Sequence, residues 1–66
     1  MKSKKWYKDE DRIYNIDKFK YFILRDWSSL YEAWTIIAHY SKEKYIVFTF
    51  NNELLYKKFI NDYLTD

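Results

Sequence analysis

His39 is the only histidine in the chain, so no HxxxH metal pair exists and any imidazole acid–base chemistry rests on one ring. The nearest hydroxyl, Ser41, is two residues on, and strand alternation places both side chains on one face. A nucleophilic triad would also need an Asp or Glu brought in from elsewhere in the fold, because no carboxylate lies close in sequence to orient the ring. A structural or surface histidine is the expectation, and the chain reads as non-enzymatic. The triplet Asp9-Glu10-Asp11 offers the oxygens that hard cations prefer, without the spacing, glycine or closing glutamate of an EF-hand loop. It is expected to be a solvated turn, with no metal and no cofactor bound.

Two stretches interleave cations with aromatic rings: Lys4-Lys5-Trp6-Tyr7-Lys8 and Lys18-Phe19-Lys20-Tyr21. Lysines attract phosphate and exposed rings stack on unpaired bases, so Lys4, Lys5, Lys8, Lys18 and Lys20 are the candidate residues for single-stranded nucleic-acid binding. Net charge weighs against that function. Twelve Lys and Arg against ten Asp and Glu leave only +2, and a pI near 8.8 is below the footprint of a dedicated basic binder. Nucleic acid is therefore the alternative reading.

Aromatic content points instead to protein binding. Three Trp, eight Tyr and five Phe make 24% of a 66-residue chain, more than so small a monomer is expected to hide, and Tyr and Trp are enriched at interface hot spots. Trp6 and Tyr7 on a terminal arm, Trp27 in a loop, and Tyr21 and Tyr31 beside sheet edges are the candidate partner-binding residues. Self-association as a homodimer is the expected form, because a two-fold packing of open faces would supply stability that a small core lacks. A heterologous protein partner is the other form.

The residues missing from the chain exclude further classes. There is no Gly, no Pro and no Cys. Without glycine there is no Walker A loop, dinucleotide GxGxxG turn or KH clamp, each of which needs φ > 0 or close backbone approach to phosphate. Without cysteine there are no disulfides, thiol catalysis or the usual zinc clusters. The apolar runs Tyr21 to Leu24 and Tyr45 to Phe50 are far short of a membrane span, and Met1 is followed by charges, so a cytoplasmic protein that does not bind membranes is expected.

The elements that position these side chains follow from periodicity. Residues 1–11 read as a polar arm with little to pack, and residues 12–66 as one α+β domain in the order ββββα. Arg12 to Asn15, Lys18 to Asp26, Glu32 to Ser41 and Lys44 or Tyr45 to Phe50 are the expected strands of an antiparallel four-stranded meander, separated by Asn, Asp and Ser turns. Asp26-Trp27-Ser28-Ser29 is expected to open a loop. An odd-length hairpin around Lys42-Glu43 would group Trp34, Ile36, Ala38 and Tyr40 with Ile46, Phe48 and Phe50; an even one would group them with Tyr45, Val47 and Thr49. The odd loop is favoured because it pools the larger side chains.

Asn51 or Asn52 caps the expected C-terminal helix, which runs to about Leu64 with Leu55, Tyr56, Phe59, Ile60 and Tyr63 on one apolar stripe. Phe50 is expected to staple onto Leu54. One helix covers one sheet face, and the opposite face is where function is to be sought.

The segment from Arg12 to Leu64 resembles a group of very small stand-alone β-meander-plus-helix proteins of low-GC bacteria and their phages. The matching elements are Ile13-Tyr14-Asn15-Ile16-Asp17, Trp34-Thr35-Ile36-Ile37-Ala38-His39-Tyr40, Ile46-Val47-Phe48 and the closing helix with Phe59-Ile60. The resemblance implies the fold and, by analogy, a phage or mobile-element protein that binds and modulates a host protein.

Overall fold

The computed structural model describes residues 4–65. The chain begins with a hairpin of β1 (Trp6–Asp9) and β2 (Arg12–Asn15), paired from Trp6↔Asn15 to Asp9↔Arg12. Its tip holds Glu10 in the left-handed region, φ 55°, a conformation that costs a non-glycine residue roughly 1–2 kcal/mol. A 3₁₀ turn, Ile16–Lys18, follows, with the Asn15 side chain accepting from the Asp17 amide at 3.0 Å. Then come β3 (Tyr21–Ser28), β4 (Ala33–His39) and β5 (Tyr45–Phe50), which form one antiparallel sheet in that order.

The architecture is α+β with antiparallel strands and one C-terminal helix. The four-stranded meander is not what forms: the strands divide into a two-stranded and a three-stranded sheet. β2 pairs back onto β1 because the segment expected to be a polar arm carries Tyr7 opposite Tyr14, and both rings pack edge-on against Phe48 at 5.3 and 5.1 Å. Burial of those rings outweighs the solvation of the neighbouring lysines, which reach water from the other side of the strand. Of the expected arm, residues 1–3 lie outside the described residues. The rest is tied down by Lys4 N–H to Asp62 O, Ile16 N–H to Lys5 O and the Tyr63 hydroxyl to Trp6 O, at 3.1, 2.8 and 3.0 Å.

Register across β4–β5 runs from Trp34↔Phe50 to His39↔Tyr45. The connection is therefore the odd one, residues 40–44. It closes without glycine through Tyr40 N–H to Lys44 O and the Ser41 hydroxyl, which accepts from the Lys44 amide. This register puts Ile36, Ala38, Phe48 and Phe50 on one face, where they are buried with Ile16, Phe19, Tyr56, Phe59 and Tyr63.

Helix α1 (Glu53–Phe59) starts at Asn52, whose side chain accepts from the Leu55 amide at 2.9 Å. Glu53 and Lys57 form an exposed i,i+4 pair at 3.3 Å. Beyond Phe59 the chain continues in a wider π turn, Ile60–Leu64. The buried stripe is Tyr56, Phe59 and Tyr63, narrower than expected, while Leu55 is exposed and Ile60 half-buried. Leu54 is 77% exposed. The staple is absent because Phe50 turns into the core, within 5.4 Å of the Phe59 ring. Hairpin and helix together cover one face of the three-stranded sheet.

A β-bulge interrupts β3 between Leu24 and Asp26, and Asp26 takes a left-handed φ of 57°. The strand therefore continues through Ser28 instead of opening into a loop at Asp26. The bulge aims the Asp26 carboxylate at α1, where it accepts from the Tyr56 hydroxyl at 2.7 Å. Burial, then the hydrogen bond to this carboxylate and its charge, push the Tyr56 phenol from 10.0 up to about 12. Because the folded value is the higher one, the stabilisation is intact below about pH 10 and is lost as pH rises through about 12. Tyr56→Phe is expected to cost about 1 kcal/mol at neutral pH in urea unfolding. The gap between the two proteins should narrow across the alkaline window; a constant gap would exclude the linkage.

Candidate interaction face

The strand period that buries Ile36 and Ala38 turns Thr35, Ile37 and His39 the other way. Their register partners on β5 are Thr49, Val47 and Tyr45, and β3 adds Tyr21 and Ile23 opposite His39 and Ile37. Neither the hairpin nor the helix lies over this second face. The β3–β4 loop curls onto one end of it, and together they enclose an open groove of 530 Å³ whose lining includes Leu30, Tyr31, Thr35, Ile37, Tyr45 and Val47. Leu30 is 81% and Tyr45 55% exposed. Both side chains stand in water at the rim of the groove, outside the closed aromatic core.

Two polar groups on this face are nevertheless buried. Thr35 lies under the β3–β4 loop and donates its hydroxyl to Asp26 O at 3.3 Å. His39 is held between rings: Tyr21 stacks on it at 4.4 Å with 12° between planes, and Tyr45 lies at 5.2 Å on the β5 side. The three residues are register partners across three strands, so cross-strand stacking itself buries the imidazole. Nδ1 lies 3.0 Å from the Ser41 carbonyl oxygen. A carbonyl only accepts, so Nδ1 carries a proton and donates it there. Among the described residues no carboxylate bonds or pairs with His39, and Ser41 meets it through its backbone oxygen. As arranged, His39 orders the sheet face.

The groove is also marked by its charge. Arg25 is the one Lys, Arg, Asp or Glu in its lining. The bulge separates neighbours here: Arg25 lines the groove while the Asp26 carboxylate is engaged by Tyr56 on the helix side. Among the described residues the exposed Arg25 side chain makes no ion pair or hydrogen bond.

Of the candidate partner-binding residues, three gather around this face. Tyr21 sits at one end on His39, Tyr31 lines the groove, and Trp27 borders it while its ring meets Trp34 edge-on at 6.2 Å. Trp27 stands in β3 and not in a loop. Trp6 is exposed on the β1–β2 hairpin, away from the groove, with the Lys5 ammonium 5.9 Å from its ring centre. Tyr7 does not stand on an exposed arm: it is half-buried in β1, its ring packed against the core rings of Phe48, Phe50, Phe59 and Tyr63. Burial pushes its phenol upward, helped by the charge of Asp9.

The candidate nucleic-acid lysines are scattered. Lys4 pairs with Asp62 at 3.4 Å, beside Lys58 at 3.3 Å. Burial acts to raise the Asp62 carboxyl, but these two ammonium groups prevail and hold it below its ordinary value. Lys5 precedes β1, Lys8 lies within it opposite Ile13, and Lys18 and Lys20 follow the hairpin; none lines the groove. Asp9, Glu10 and Asp11 form the exposed hairpin tip. Ile23, Arg25, Leu30, Ile37, Tyr45 and Val47 were not singled out from the sequence. Alternation from Thr35 to His39 and from Tyr45 to Thr49 carries the signal for half of them, once the hairpin register is known. The bulge that positions Arg25 has no comparable signature.

No helix among the described residues is long and apolar enough to cross a membrane. Comparison of the chain with protein-family models, curated proteins and solved structures gives no match.

Proposed function

We propose that the chain is a non-catalytic protein-binding module that works through the uncovered face of its three-stranded sheet. The observation that carries this reading is a cluster of exposed side chains, Tyr21, Ile23, Leu30, Tyr31 and Tyr45, on the sheet face and bordering loop that neither the helix nor the hairpin covers. The resemblance to small phage proteins suggests a host protein as the target.

Val47→Lys tests this. Val47 is half-buried on an edge strand, so a lysine stem can lie along the sheet with its ammonium in water, and the fold should survive. Immobilised wild-type protein is expected to retain a protein from a low-GC bacterial lysate through a high-salt wash, and the variant to retain at least about tenfold less, a loss of roughly 1.4 kcal/mol. Equal retention by both proteins would refute the assignment to this face. Retention that collapses with salt and with nuclease treatment would favour single-stranded nucleic acid instead.

A further inference from the structure

We infer that the groove recognises a protein segment carrying a carboxylate within a residue or two of an aliphatic or aromatic side chain, with Arg25 taking the carboxylate. The inference rests on the protein-binding reading above and specifies the chemistry of the partner. Arg25 is exposed and lines the groove, and its neighbour Asp26 is committed to Tyr56 on the opposite side. No Asp or Glu lines the groove, so an incoming carboxylate meets one planar guanidinium without an internal competitor. That fork binds a carboxylate through two parallel N–H···O bonds. Ile37, Val47, Leu30 and Tyr31 contribute apolar side chains to the same lining, among Ser28, Ser29, Thr35 and His39.

Charge also selects among occupants. A second copy docked face to face about a two-fold axis would bring two Arg25 side chains into one interface with no acidic residue of the groove to pair them, a like-charge arrangement that costs affinity. A nucleic-acid strand presents a phosphate at every nucleotide, and one cation in the groove neutralises few of them. A single carboxylate beside an apolar side chain matches both the one cation and the apolar members of the lining.

The test is an NMR titration of the whole chain with N-acetyltryptophan and, separately, with N-acetyltryptophanamide, which keeps the ring and removes the charge. Ile37 and Val47 methyl signals are expected to shift with both, and the acid to bind about tenfold tighter, as a charge-assisted hydrogen bond predicts. In Arg25→Gln the acid's advantage should vanish while the shifts caused by the amide and the thermal melt remain; Arg25→Lys should keep part of it. Equal binding of acid and amide by the wild-type chain would overturn the carboxylate assignment and leave the face as a binding surface. No methyl shift with either would overturn both readings. Stronger shifts with an oligothymidylate, or a concentration-dependent dimer that covers Ile37 and Val47 in the same samples, would replace the acidic segment by nucleic acid or by a second copy.

Discussion

Phe48→Ala is expected to abolish the cooperative thermal and urea transitions. Phe48 is 1% exposed, and its ring meets Tyr7 and Tyr14 from the hairpin, Phe19 from the segment after the 3₁₀ turn and Phe59 from the helix. Each element that covers the sheet therefore makes contact through this one side chain. Removing a buried phenylalanine ring costs about 3–5 kcal/mol through lost burial and the cavity left behind. A domain of this size, with no disulfide, has roughly 3–5 kcal/mol in total. The two figures are equal in size, so the variant should be largely unfolded at room temperature. A cooperative melt within about 1 kcal/mol of wild type would mean that the aromatic cluster is not the centre of the fold.

Tyr7→Ala and Trp6→Ala should separate sharply although the residues are adjacent. Tyr7 is half-buried among four core rings, and its truncation should cost about 2–4 kcal/mol. Trp6 is 56% exposed and gives the fold mainly its backbone oxygen, which accepts from Tyr63. Its replacement by Ala keeps that oxygen and should cost no more than about 1 kcal/mol. Urea unfolding measures both values, and amide exchange at Ile16, bonded to Lys5 O, reports whether the hairpin has come away. If both variants melt like wild type, residues 4–11 are a dispensable arm after all. The contrast bears on function too, since a binding defect in Tyr7→Ala would follow from unfolding and one in Val47→Lys would not.

The C-terminal helix was legible because its signals are local. Asn52 as cap, the Glu53–Lys57 pair and the spacing of Tyr56, Phe59 and Tyr63 depend on residues within two turns of one another. The β4–β5 hairpin was legible for a related reason: only the odd loop pools Trp34, Ile36, Phe48 and Phe50, and pooling buries the most apolar area. Tyr7 is not legible in the same way, because a strand flanked by lysines looks solvated until a partner strand and a helix close over one side of it. Arg25 carries no comparable signal, because the bulge beside it and the contact between residues 26 and 56 that accompanies it join positions far apart in the chain.

By itself the sequence determined the class of the protein: α+β, short of glycine, proline and cysteine, too rich in aromatic residues to bury them all, and equipped with one capped helix and strands of readable alternation. Tertiary structure decided how the strands divide between two sheets, which face the helix and hairpin cover, and therefore which aromatics are core and which are exposed. The physical reason is range. Caps, turns and alternation act over a few residues, whereas the choice of face is the sum of weak burial terms among rings brought together from positions 7, 14, 19, 48 and 59, and that sum exists only once the chain has closed.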